Sequence, residues 1–193
     1  MNSFLRIFLG LFLAATVFLC VAPREAIAEL RAGAAAIDVS PQSFPVLING
    51  GMTSNSAKGL TTPVHARAIV LEEGDERVAI VVVDSCMMSR TFLDDAKAQA
   101  SQRTGIRADR MLISATHAHS VPASMGCLGT DADETYIPYL RIKLVEAIEK
   151  AAANAEPAKV GWAARKAANY TAVRRWIRRP DRIVEDPFGK LTV

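Results

Sequence analysis

The sequence has 193 residues, of which half are hydrophobic and 22% are charged, with a formal net charge of +3. This length allows at most one ordinary domain plus an export segment, and the apolar content suffices for a core, which excludes an intrinsically disordered chain. The charge is small and of mixed sign, so the composition argues against nucleic acid as a partner.

The first 28 residues have the pattern of a secretory signal peptide. Arg6 gives a positive start, residues 7–22 are apolar, and residues 26–28 (AIA) are the small residues that a signal peptidase reads. We expect cleavage after Ala28 and export to the periplasm or the medium, with residues 29–193 as the mature domain. An uncleaved anchor is the alternative, although the apolar run is short for a membrane span.

The mature chain begins with strand signals and a long loop. Residues 30–37 and 64–71 are predicted strands, and residues 41–63, rich in Gly, Ser, Asn and Pro, are predicted to be a loop. The continuous β-branched run at 78–83 is typical of a strand buried on both faces.

A strand–helix–strand unit follows. Ser89 is a predicted N-cap and Gly105 a C-terminal stop for the helix between them, and residues 111–115 form the next predicted strand. Such a βαβ unit pairs its two strands in parallel. We therefore predict an α/β domain with a mixed, partly parallel sheet and flanking helices.

The remaining sequence predicts a long helix and less regular segments. An amphipathic helix begins at about Tyr136, and residues 158–164 are a predicted strand. Residues 169–182 are a predicted basic loop, and residues 188–193 begin a further predicted strand. The interpretations open for the loop are an anionic substrate, an anionic membrane surface, fixing of the loop, or a solvated charged surface. Five arginines surround Trp176 in this loop: Arg174, Arg175, Arg178, Arg179 and Arg182.

Candidate functional residues follow the two strands of the βαβ unit. Asp84 comes directly after the first strand, and His117 and His119 follow the second. In parallel α/β sheets, ligands bind beyond the carboxyl ends of the strands. The topology therefore predicts that Asp84 and both histidines share one edge of the sheet.

The His-x-His pair predicts a metal site. Neutral imidazole is a common zinc ligand, and catalytic zinc takes about three protein ligands and leaves one position for water. His117 and His119 are the predicted ligands, with Asp84 as the preferred third and Cys86 as a second candidate. The alternatives are two hydrogen-bonded loop histidines, and for Asp84 a turn carboxylate that ends a strand.

Two cysteines remain after the predicted cleavage, Cys86 and Cys127. They are interpreted as metal ligands, as two inert thiols or as a disulfide, and export favours the disulfide.

Several stretches, in order, resemble the neutral/alkaline (non-lysosomal) ceramidases and their bacterial relatives. Residues 115–122 (ATHAHSVP) are similar to the T-H-T-H-S-G-P signature of that family, with Val121 in place of the glycine. Thr61 stands where some members carry an active-site histidine. The other similar stretches are 32–41, 59–71, 77–84, 174–176 and 186–193.

The resemblance implies a zinc-dependent hydrolase that splits ceramide, an N-acylsphingosine, into a sphingoid base and a fatty acid. That family holds one zinc with two histidines, a glutamate and a tyrosine. By position, His117 resembles a zinc-binding histidine and His119 its neighbour in the same site. His119 and Asp84 are the predicted catalytic residues.

The family's catalytic domain is much longer than this mature chain, so the resemblance implies the N-terminal portion of an incomplete domain with little activity alone. The alternatives are a non-catalytic remnant or interaction module that keeps the fold, and another exported metallohydrolase that uses His117 and His119 with Asp84 and Cys86.

Overall fold

The structure is a computed structural model that describes residues 29–170, 177–186 and 188–191. The predicted signal peptide and the arginines at 174 and 175 lie outside the described residues. No helix in the described ranges is long and apolar enough to cross a membrane. The described residues fall into two compact units, one within residues 1–159 and the other within residues 160–193.

A five-stranded mixed sheet and two helices form the first unit. The predicted α/β class with a partly parallel sheet is confirmed. The strand order is β6-β5-β4-β1-β7, and a separate hairpin pairs β2 with β3. The elements are β1 (Arg31–Asp38), β2 (Val46–Ile48), β3 (Asn55–Ala57), β4 (His65–Glu73), β5 (Glu76–Val83), α1 (Arg90–Thr104), β6 (Met111–Ala115), α2 (Tyr136–Ala153) and β7 (Glu156–Pro157).

The βαβ unit is confirmed, since β5 and β6 are parallel and pair from Ala79–Met111 to Val83–Ala115. Helix α1 begins where the Ser89 hydroxyl accepts a hydrogen bond from the amide of Phe92. It ends at Gly105, whose left-handed φ of 72° lets its amide reach the carbonyl of Ser101. These local signals set the two ends of helix α1, which connects β5 with β6.

The core lies between the sheet and the two helices. Alternate residues of β4 and β5 face it, and α2 contributes a buried stripe that includes Leu140, Leu144 and Ile148. Helix α2 packs closely on β1 at Gly33, where an added Cβ would collide with the backbone oxygen of Ala151. The helix stripe follows the predicted spacing of an amphipathic helix.

The other face of the sheet is exposed, so the prediction that residues 78–83 are buried on both faces is wrong. Ile69, Ile80 and Leu112 pair across β4, β5 and β6 and form one apolar row. Their exposed fractions are 49%, 41% and 60%. Among the described residues, β6 pairs with β5 alone and is an edge strand.

Two further predictions are corrected. Residues 158–164 are not a strand, because pairing with β1 stops at Pro157. The predicted loop at 41–63 contains the β2–β3 hairpin. In the second unit, a short 3-10 turn at Pro180–Arg182 and one bridge between Glu185 and Leu191 are formed. Residues 192 and 193 of the last predicted strand lie outside the described part.

Candidate metal centre

The carboxyl ends of β5 and β6 meet at one edge of the sheet, as predicted. The amide of Thr116 donates to the carbonyl of Val83 (2.9 Å), and the amide of Ala118 donates to the carbonyl of Ser85 (3.2 Å). The chain after β6 is therefore tied to the chain after β5. These bonds bring the predicted histidines beside residues 84–88.

His117 occupies a left-handed backbone conformation with φ of 61°. Such values are uncommon outside glycine, although histidine is among the residues enriched there. The reversal turns the imidazole towards Cys86, whose carbonyl lies 2.8 Å from Nδ1. Since a carbonyl only accepts, Nδ1 carries the proton and Nε2 is left with its lone pair.

His119 faces His117 edge-on. The ring centroids are 4.8 Å apart with an interplanar angle of 80°. The two Nε2 atoms lie 3.3 Å apart, and both side chains are exposed to solvent. The two imidazoles of the His-x-His pair therefore converge at their Nε2 atoms.

The third residue of this cluster is Cys86. Its Sγ lies 3.8 Å from Nδ1 of His117, and the three ligand atoms of Cys86, His117 and His119 lie within 4.8 Å of one another. One sulfur and two imidazole nitrogens are donors that could hold a metal ion. Burial, followed by the nearby Cys127 thiol, raises the pKa of the Cys86 thiol.

Cys86 and Cys127 are both free in the structure, so the disulfide that export favours is not formed. Cys86 is buried, whereas Cys127 is half-buried. Both cysteines are therefore present as free thiols and do not cross-link the chain.

Asp84 lies at the same edge of the sheet, but its carboxylate has other partners. Both oxygens accept from Nη1 of Arg67 at 3.0 Å, and Oδ2 also accepts from the amide of His65 at 2.9 Å. The metal-ligating cluster in the described ranges does not include it. The catalytic role predicted for Asp84 stays a prediction.

The turn that carries Cys86 is held by buried hydroxyls. Ser85 Oγ lies 2.9 Å from Ser124 Oγ, and Ser124 Oγ donates to the carbonyl of Met87 at 2.9 Å. Both serines are buried at 2% exposure. This network fixes residues 85–87 against the chain that follows the histidines.

Gly50 supports His119 from the hairpin side and was missed as a site residue. Its φ is 113°, and an added Cβ would lie 2.5 Å from Cγ and 2.9 Å from Cα of His119. The Asn49-Gly50-Gly51 sequence was the available signal, because paired glycines often mark close backbone approach. Sequence alone did not say what approaches.

Asp133 connects the hairpin with helix α2. Its carboxylate accepts from the amide of Leu47 at 3.0 Å and from the Thr135 hydroxyl at 2.7 Å. Burial opposes ionisation, but these donors and the amide of Tyr136 outweigh it and lower the pKa of Asp133. This anchored carboxylate holds β2 beside the loop of the histidines.

An open, mostly apolar cavity of about 420 Å³ adjoins the cluster. Ala118 and Ser120, the neighbours of His119 in the chain, belong to its lining, as does Asp84. Apolar side chains supply much of the rest, among them Phe44, Val46, Ile48, Leu60, Val64 and Val121.

No protein-family model matches the chain. Among solved structures, it is similar to neutral ceramidase from Pseudomonas aeruginosa, with a TM-score of 0.60 and 21% identity. It is also similar to a ceramidase complexed with C2, with a TM-score of 0.58 and 22% identity. The resemblance to neutral ceramidases is confirmed for the fold. Each match covers 67% of this chain, and the chain spans 22% of the length of either relative.

Proposed function

We propose that this chain supplies one wall of the active site of a zinc-dependent amide hydrolase of the neutral ceramidase type. The reaction is cleavage of an N-acylsphingosine, or of a related N-acyl lipid, into a sphingoid base and a fatty acid. The observation that carries the proposal is the pair of Nε2 atoms of His117 and His119, 3.3 Å apart at the carboxyl edge of a ceramidase-like fold.

The donor set fits zinc. Two imidazole nitrogens at 2.0–2.1 Å from one tetrahedral zinc lie about 3.3 Å apart, which equals the observed separation. Zinc held there would supply a Lewis acid for the amide carbonyl and would lower the pKa of a bound water to about 7.

The residues of this chain have separate tasks in the proposed site. His117 holds the ion through Nε2, because its Nδ1–H is bound to the Cys86 carbonyl and fixes the ring. His119 is the second imidazole, and Gly50 keeps it in place. Asp84 belongs to the cavity wall, where its carboxylate, held by Arg67, offers a polar contact to a substrate headgroup.

The apolar cavity supports a lipid substrate. A volume of about 420 Å³ lined largely by apolar side chains suits part of an acyl chain, and it opens beside the loop that carries His119. Acting on such a lipid agrees with export, which the pattern of residues 1–28 supports.

His117→Ala is expected to abolish stoichiometric zinc binding by the purified protein, measured by metal analysis after equilibrium dialysis. The loss should exceed the roughly 10- to 100-fold that removal of an outer-shell partner costs. His65→Gln is the matched control, because His65 lies in β4 and its ring is not part of the cluster. Equal zinc binding by His117→Ala and the parent protein would contradict the metal centre.

Leu60→Asp is expected to weaken binding of a short-acyl N-acylsphingosine at least tenfold, measured by isothermal titration. Leu60 belongs to the cavity lining but is 48% exposed, so a carboxylate there changes the cavity without burying a charge in the core. Ile142→Asp is the control, because Ile142 is 60% exposed on α2 and lies outside the cavity. If Leu60→Asp and Ile142→Asp bound the lipid equally well, the proposal that the cavity binds an N-acyl lipid would be contradicted.

Amide hydrolysis gives a separate test of the proposal that this chain supplies only one wall of the active site. We expect the purified protein to bind zinc yet to hydrolyse a fluorescent N-acylsphingosine only slowly, because the resemblance implies further ligands outside this chain. Robust, chelator-sensitive hydrolysis by the chain alone would contradict that part of the proposal and would favour a complete site within it.

A further inference from the structure

We propose that Cys86 is a third protein ligand of the metal, so that this chain contributes a Cys/His/His set made of Cys86, His117 and His119. The proposal rests on the metal centre of the proposed function for its two histidines. It adds a thiolate that the resemblance to neutral ceramidases does not supply, since that resemblance implies histidine, glutamate and tyrosine ligands.

The first support is the position of the sulfur. Cys86 is held at both its neighbours, by the Ser85–Ser124 hydroxyl contact on one side and by the bond from Ser124 to the Met87 carbonyl on the other. Its Sγ lies 3.8 Å from Nδ1 of His117, the nitrogen that donates to the Cys86 carbonyl. The sulfur is therefore placed by packed structure and not by a free loop.

The second support is the orientation of His117 by the same residue. The Cys86 carbonyl accepts a hydrogen bond from Nδ1–H, which leaves Nε2 of His117 as its ligand atom beside Nε2 of His119. A backbone carbonyl that orients a metal-binding imidazole is a common outer-shell contact. Cys86 thus acts on the site through its carbonyl as well as its thiol.

The third support is the size of the cluster. A sulfur at about 2.3 Å and a nitrogen at about 2.0–2.1 Å from one tetrahedral zinc lie about 3.6 Å apart. The observed ligand atoms all lie within 4.8 Å of one another. Closing the set requires the ligand atoms to approach one another by about 1 Å when the metal binds.

The competing roles of Cys86 and Asp84 have less support. A disulfide with Cys127 is not formed. Asp84, the alternative third ligand, already gives its oxygens to Arg67 and to the His65 amide. A buried thiol can serve as a small apolar side chain, but here it adjoins two imidazoles whose Nε2 atoms have the spacing of zinc ligands.

A thiolate changes which ions the site prefers. Soft sulfur together with imidazole selects zinc and other late transition metals, whereas magnesium and calcium prefer oxygen ligands. The set is therefore expected to take Zn²⁺ and Co²⁺ and to leave Mg²⁺ and Ca²⁺ in solution.

The test uses cobalt as a spectroscopic substitute for zinc in the purified, chelator-treated protein. A thiolate ligand gives a sulfur-to-cobalt charge-transfer band in the near ultraviolet, which imidazole and carboxylate ligands do not give. We expect the band in the parent protein and in Cys127→Ser, and its loss in Cys86→Ser together with a drop in zinc affinity of more than about tenfold. Retention of the band in Cys86→Ser, or its loss only in Cys127→Ser, would overturn the proposal.

X-ray absorption of the zinc-loaded parent protein provides a measurement that needs no variant. We expect one sulfur neighbour at about 2.3 Å with nitrogen or oxygen at about 2.0–2.1 Å. A shell of nitrogen and oxygen alone would refute a role for Cys86 and would leave the histidine site of the proposed function intact. Failure of His117→Ala to lose zinc would instead refute the histidine site itself, so the two proposals fail in different ways.

Discussion

Gly50→Ala is expected to lower zinc affinity strongly and to cost the fold about 1–3 kcal/mol through its backbone conformation alone. The φ of 113° at Gly50 is a conformation that L side chains rarely adopt. The added methyl would also lie 2.5 Å from Cγ of His119, so either the hairpin loop or the imidazole must move. Because zinc ligands must be placed within a fraction of an ångström, the displaced His119 would no longer share an ion with His117.

The measurement is zinc affinity by competition with a chromophoric chelator, together with the midpoint of thermal unfolding. Gly59→Ala is the matched control, since Gly59 lies in the same stretch between β1 and β4 and a Cβ there meets nothing within 4 Å. If Gly50→Ala bound zinc as tightly as Gly59→Ala, the close contact between Gly50 and His119 would not govern the site.

Gly33→Ala is expected to have the largest effect on stability, above about 3 kcal/mol, the upper end of what overpacking costs. A Cβ there would collide with the Ala151 oxygen and lie 2.7 Å from the backbone nitrogen of Ala155. All of these atoms belong to backbone at the end of α2, so no side-chain rotation relieves the contact. Helix α2 would have to move away from β1 and open the core.

Thermal unfolding followed by circular dichroism measures this effect, with a fall in Tm of roughly 10 °C expected. Ala36→Val is the control, because Ala36 lies on the same strand with its side chain exposed. This substitution adds more side-chain volume than Gly33→Ala does. Equal stability of the two variants would show that α2 does not approach β1 as closely as described.

Sequence patterns predicted the parts of the fold that local chemistry determines. Ser89 and Gly105 bound helix α1, and the parallel pairing of β5 with β6 follows from a helix of that length between two strands. The same topology placed His117 and His119 at the correct edge. The helix caps are signals local in the sequence, and the right-handed crossover of βαβ units supplies the one longer-range rule.

The predictions failed where burial or a side-chain contact depends on residues that are distant in the sequence. The run at 78–83 is apolar on both faces, yet Ile80 and Val82 are exposed, because residue type alone does not say whether a second layer is present. The ion pair between Asp84 and Arg67, which lies on the antiparallel neighbour β4, was not predicted either. No sequence signal joins residues 67 and 84.

The contact between Gly50 and His119 was equally beyond sequence reasoning. Two glycines at the centre of a loop predict close backbone approach without naming the partner. The left-handed backbone of His117 had no signal at all, although it directs Nδ1 to Cys86.

Strand β6 leads into the proposed metal site and also lies at an edge of the sheet, where other molecules can pair with it. The histidines follow its end, and among the described residues it is one of the two edge strands of the sheet, with Leu112 exposed in line with Ile80 and Ile69. An unpaired strand edge beside an apolar surface is a template for strands of other molecules. Self-association at high protein concentration is therefore expected to begin at β6, next to His117 and His119.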